Sequence, residues 1–101
     1  MTKIGLLGLL LVSFAASATE ADKVTLQLKW RHQFQFAGYY AAKAKGFYQQ
    51  AGLDVNIVEA ETGVDPVREV VAGRAQFGVG TSELILNRYR NDPILVLGVI
   101  F

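Results

Sequence analysis

Hydrophobic and polar positions alternate along the early part of the chain, with Val24, Leu26, Leu28 and Trp30 on one side of a period-two run. That alternation is the pattern of a half-buried strand. The period then changes. Phe36, Tyr40, Ala44 and Phe47 recur at steps of four, four and three, which makes one helical face apolar. Between the two patterns, a strand delivers aromatics and amides to a helix start. In an open parallel sheet, ligands bind in the crevice beyond the carboxyl ends of the strands. The stretch from Lys29 to Tyr40 therefore reads as a ligand-binding lip.

The rest of the chain repeats the alternation of strand and helix. Gly46 and Gly52 bracket Phe47 to Ala51, as expected where a helix stops, makes one more turn and hands over to a strand at Leu53–Val58. Glu61 to Val64 is a loop. Asp65-Pro66 is a helix start, because the carboxylate accepts orphan backbone N–H groups and proline lacks a donor where none is needed. Val67, Val70 and Val71 give that helix its buried face and Gly73 ends it. Ala75 to Gly80 predicts a short strand, Thr81-Ser82-Glu83 the next helix start, and Asn91-Asp92-Pro93 a turn. Ile94 to Phe101 is a continuous apolar run, the pattern of a strand buried on both faces of a parallel sheet. Strands alternating with helices of this length predict an α/β fold, a parallel sheet with helices on both sides.

The amino end is different. Lys3 precedes an apolar run from Ile4 to Phe14, and Ala16-Ser17-Ala18 follows it. A basic residue, an apolar core and a small-x-small ending make an export signal, with the cut expected after Ala18. The run is shorter than the roughly 20 residues a membrane-spanning helix needs. Without cysteine there is neither disulfide nor thiolate metal site. Of the ten basic residues, Lys3 falls in the signal, leaving nine against nine acidic side chains. That balance does not favour nucleic acid or an anionic membrane. Residues 19–101 make one small domain, and the apolar strand at its end needs cover on both faces. The chain reads as the N-terminal part of a longer protein, and 19–101 alone is expected to associate or fold only partly, without saturable ligand binding.

Five aromatics, Trp30, Phe34, Phe36, Tyr39 and Tyr40, lie within eleven residues, interleaved with Arg31, His32, Gln33 and Gln35. A single aromatic is more simply explained as core. The cluster, with amides between the rings, has the ingredients of a pocket for a small planar compound. His32 is the only histidine, and a lone histidine at an element end is more often a hydrogen-bonded surface group than a ligand or base. Glu59 and Glu61 flank a strand end and read as solvated. Gly63 sits in a loop just before a helix, where N–H groups favour a polar ligand edge. Gly78 and Gly80 suit a close backbone approach, and the hydroxyls of Thr81 and Ser82 fit either a cap alone or a cap together with ligand contact. Phosphate-cradle, metalloprotease and serine-hydrolase signatures are absent. No catalytic residue and no metal ligand set can be argued.

Taken in order, these pieces resemble the SsuA/THI5-like (NMT1/THI5) domain: Leu26 to Ala42 with its Lys29-Trp30-Arg31-His32-Gln33-Phe34-Gln35 core, then Lys45 to Tyr48, Ala51 to Val55, Gly63 to Pro66 and Phe77 to Glu83. The likeness runs from about Val24 to Phe101. It implies a periplasmic-binding-protein fold of the second type, of which this chain supplies the N-terminal part of lobe 1. It also implies a periplasmic receptor that binds a thiamine pyrimidine precursor and passes it to an ABC transporter permease, with no bound cofactor. In that reading Trp30, Phe36 and Tyr39 enclose the heterocycle, Gln33, Thr81 and Ser82 hydrogen-bond its edge, and Gly63 and Glu83 complete the site.

The resemblance leaves other readings open. One is binding of an alkylsulfonate, and another is a ligand-sensing domain of a signalling protein. A third is a thiamine pyrimidine synthase using pyridoxal phosphate and iron. The synthases' pattern has a lysine and a histidine at the positions of Gly80 and Leu84, and a cysteine-rich motif that a chain without cysteine cannot carry. Synthase activity is therefore disfavoured. Relatives often have glycines and a proline where this chain has Ala60-Glu61-Thr62-Gly63.

Overall fold

β1 (Asp22–Gln27) is the central strand of a three-stranded parallel sheet in the computed structural model, which describes residues 18–100. β2 (Leu53–Val58) lies on one side, in register from Asp22 opposite Leu53 to Gln27 opposite Val58. β3 (Phe77–Gly78) lies on the other, with Leu26 opposite Phe77. After β1 come a 3-10 turn (Phe34–Phe36), α1 (Ala37–Ala44) and the single turn α2 (Phe47–Gln50). α3 (Pro66–Val71) joins β2 to β3, and α4 (Leu84–Tyr89) follows β3. α1 and α2 adjoin β2, while α3 adjoins β1 and β3. This is the expected α/β arrangement. The expected export signal falls on residues that lie outside the described ones, Ala18 excepted.

The alternation of β1 is realised with one exception. Leu28 is fully buried and Val24 and Leu26 half-buried, but Trp30 is 52% exposed. Gln27, which the alternation assigns to the opposite side, is also buried. Burying an amide is costly unless its polar atoms are paired. The Gln27 side-chain NH2 meets that condition by donating to the carbonyls of Leu28 at 3.1 Å and Glu59 at 3.2 Å, with Val58 at 3.4 Å.

β3 is shorter than the Ala75–Gly80 run predicts, because a side chain replaces part of its ladder. Gln76 donates its backbone N–H to Thr25 at 3.1 Å and accepts the Thr25 N–H on its side-chain oxygen at 2.8 Å. The helix-spaced face beginning at Phe36 is likewise interrupted: Phe36 is buried, but Ala44 and Phe47 are exposed. α1 stops at Ala44, and Gly46 with φ +74° redirects the chain before Phe47. Glycine suits that left-handed position because it has no β-carbon to clash.

α3 starts as the sequence predicts, with the Asp65 carboxylate accepting the Val67 N–H at 2.9 Å and Pro66 in the first position. Val67 is buried. The final expected strand is not formed: residues 94–100 are irregular, and Leu95, Leu97, Val99 and Ile100 are exposed. The apolar run has the composition of a buried strand, but β3 pairs only Leu26 and Gln27 of β1 across two residues, and no ladder continues from β3 to the run. A parallel strand exists only through such a ladder.

Candidate ligand-binding site

All three parallel strands end at one edge, β1 at Gln27, β2 at Val58 and β3 at Gly78. The loops that leave this edge are residues 28–33, 59–65 and 79–83. The chain passes from β1 to β2 on one side and then to β3 on the other. The connections therefore diverge between the β1 and β3 loops, the topological position at which open α/β sheets bind ligands.

The loop after β1 is tied down on both sides. Leu28 donates its N–H to Val58 at 2.8 Å, Ala60 donates to the Trp30 carbonyl at 3.1 Å, and Val79 donates to the Gln27 carbonyl at 2.9 Å. His32 donates its backbone N–H to Glu59 Oε2 at 3.0 Å, and its ring Nε2 lies 3.7 Å from the same oxygen. On its other side, the Nδ1 of the ring pairs with the Tyr40 hydroxyl, the two rings meeting edge to face at 5.4 Å. This corrects one expectation, since Glu59 is an acceptor within the lip and not a free solvated side chain, and agrees with another, since His32 is an exposed, hydrogen-bonded group. The parallel register brings them together, because Gln27 opposite Val58 places the residues just beyond each strand end side by side.

Two depressions mark this edge. A shallow one of about 400 Å³ is lined by His32, Gln33, Phe34, Ala37 and Tyr40. A second, of about 540 Å³, lies between the loops after β1 and β3 and the sides of α3 and α4, with Lys29, Asp65, Arg68, Thr81, Glu83 and Arg90 among its walls. The sequence-predicted residues divide between and around them. Gln33 lines the first, and Thr81 and Glu83 line the second. Trp30 projects from the loop after β1, half-exposed, while Tyr39 is half-buried and Ser82 is exposed. Gly63 occupies the Glu61–Val64 turn with φ +88°. Phe36 is only 2% exposed, so its ring belongs to the interior beneath the lip. Phe34 and Lys29 belong to the stretch that the sequence marks as the lip, whereas nothing in local spacing marks Arg68 and Arg90.

The glycines after β3 serve packing first. A β-carbon on Gly78 would meet Val70 Cγ2 at 3.2 Å and the Pro66 carbonyl at 3.4 Å, and one on Gly80 would meet the Leu84 side chain at 2.8 Å. Their small size lets α3 and α4 approach the strand end. The hydroxyls of Thr81 and Ser82 contribute unequally to the start of α4. Thr81 Oγ1 accepts the Glu83 N–H at 3.4 Å, a long bond, and no side-chain bond of Ser82 is formed among the described residues. Lys43 is committed elsewhere, donating to the Val55 carbonyl at 2.7 Å. Burial, and secondarily Tyr39, push the Tyr48 hydroxyl above its ordinary pKa, so it stays a neutral donor. Among the described residues no group of three His, Asp or Glu side chains could hold a metal ion.

What the arrangement offers chemically is an exposed indole, amide and hydroxyl groups on adjoining loops, and a charged cleft at the divergence point. The model of the family described as NMT1/THI5 like matches residues 33–101 of the chain. That range contains the loops after β2 and β3 and begins within the lip. No curated protein matches the chain.

Proposed function

The chain belongs to the NMT1/THI5-like family of small-molecule-binding domains, and on that premise we propose that it is the periplasmic receptor of an ABC-type uptake system for a thiamine pyrimidine precursor. The observation that carries the reading is the half-exposed Trp30 on a loop fastened at the carboxyl edge of a parallel sheet, with Gln33 at the end of the same loop. A flat aminopyrimidine stacks on an indole, and amides and hydroxyls match the donors and acceptors on its edge. Burying part of that indole under a ring contributes roughly 25 cal/mol per Å² of apolar surface covered. The apolar run from Ile4 to Phe14, ending in Ala16-Ser17-Ala18, supports export to the periplasm, and the family supports a permease as partner.

Calorimetry of the protein expressed from its whole gene tests this. Saturable heat with an aminopyrimidine and none with a taurine-like sulfonate is expected. Heat with the sulfonate alone would replace the proposed ligand.

A further inference from the structure

The cleft beside the β1 and β3 loops carries charge for which a neutral heterocycle has no use. Lys29, Arg68 and Arg90 line it, against two carboxylates, Asp65 and Glu83. Among the described residues none of the three cations lies in an ion pair, the only pairs being His32 with Glu59 and Arg74 with Glu69. One of the carboxylates is already used, since Asp65 Oδ1 accepts the Val67 N–H at 2.9 Å as the cap of α3. Of the neutral polar groups in the cleft, Asn87 is committed to Asp92 through its side-chain NH2 at 2.9 Å. Thr81 Oγ1 accepts only the long bond from Glu83, which leaves its hydroxyl hydrogen available to an acceptor. Uncommitted cations and a hydroxyl donor together outweigh one uncommitted carboxylate.

We propose that this cleft is a subsite for an acidic oxyanion group on the ligand, so that the molecule bound is a heterocycle bearing a phosphate ester or a carboxylate. The inference rests on the reading that this sheet edge holds a small molecule. Lys29 lines the cleft from the loop after β1 that also carries Trp30. Charge-assisted hydrogen bonds are stronger and more directional than neutral ones, and the two arginines can each offer a planar pair of donors to an oxyanion.

The test compares three probes by calorimetry on the protein expressed from its whole gene: a neutral aminopyrimidine alcohol, its phosphate monoester and a carboxylate-bearing analogue. One or both acidic probes should bind at least about tenfold more tightly than the alcohol, as expected for one added charged hydrogen bond. Which one gains identifies the group. The gain should shrink with added salt, and should fall about tenfold in Lys29→Gln and in Arg90→Gln. Arg90 is exposed at the end of α4, so the second variant keeps the test sound should the first disturb the lip. Arg88→Gln makes the same charge change on α4 outside the cleft and should leave the gain intact. Acidic probes that bind no tighter than the alcohol overturn the subsite while leaving the proposed function standing. Equal losses in Arg88→Gln and Arg90→Gln overturn it too. If none of the probes binds, the small-molecule reading fails and the subsite falls with it.

Discussion

Glu59 Oε2 accepts the backbone N–H of His32 at 3.0 Å and stands 3.7 Å from Nε2 of the same residue. One carboxylate from the loop after β2 therefore holds the main chain of a residue two positions beyond Trp30 and lies beside its ring. Together with the Ala60 to Trp30 bond, it makes the lip part of the sheet's framework.

Glu59→Ala should loosen the lip without unfolding the sheet. Amide exchange at His32 is expected to rise about tenfold, as for loss of one charge-assisted bond near the surface, and the anisotropy of Trp30, the sole tryptophan, should drop. Glu59→Gln retains a carbonyl acceptor and should preserve most of the protection. Unchanged exchange in the alanine variant would remove Glu59 from this role.

Gln27 is the interior counterpart of that tie. Gln27→Leu leaves the Leu28 and Glu59 carbonyls without their side-chain donor in a buried place, at a cost of about 1–3 kcal/mol. A lower urea midpoint with an unchanged slope would report this as lost stability. A variant as stable as the parent would show that water satisfies those carbonyls.

Much of this fold is legible in the sequence. The α3 cap, the glycine breaks at positions 46, 52 and 73, and the parallel direction of the strands follow from local chemistry: a carboxylate before proline, positive φ at glycine, and strand-helix alternation. The pairs that build the lip are less legible, because His32 and Glu59 are separated by a whole crossover and only the register unites them. The alternation placed Gln27 away from the Leu28 side, and its burial depends on three carbonyls that no local pattern reveals. Composition misleads at Ile94–Ile100, where apolarity suggests a strand but hydrogen-bonded neighbours decide.

Two glycine substitutions should have opposite signs. Gly78→Ala drives a β-carbon against Val70 and Pro66 and should cost about 1–3 kcal/mol, as for overpacking. Gly38 lies in α1 with nothing within 4 Å of a built β-carbon and no positive φ, so Gly38→Ala should stabilise by roughly 0.5–1 kcal/mol. Thermal melts of both variants check the pair, and a shift in the same direction would contradict the packing described for α3.

The acid side of the stability profile should report the Glu69–Arg74 pair. Arg74 meets both Glu69 oxygens at 2.7 and 2.8 Å. That hydrogen bonding, ahead of the opposing effect of burial, holds the Glu69 carboxyl below its ordinary pKa. A folded pKa below the unfolded one gives a contribution that is complete above the unfolded value and is lost as pH falls through the folded value. Arg74→Gln should therefore lower stability by a constant amount above the ordinary carboxylate range and flatten the decline on acidification, so that the two proteins converge at low pH. Chemical melts across the acid range measure it, and identical acid profiles would contradict the pairing.

The most direct test of the central claim, that a small heterocycle binds against Trp30 at the carboxyl edge, is a fluorescence titration of the protein expressed from its whole gene. Trp30 is the only tryptophan, so its emission reports on one place. Saturable quenching by an aminopyrimidine or its acidic derivative, with the same midpoint as the calorimetric curve, is predicted. Calorimetric binding that leaves Trp30 emission unchanged, or no binding of any such compound, would contradict the account.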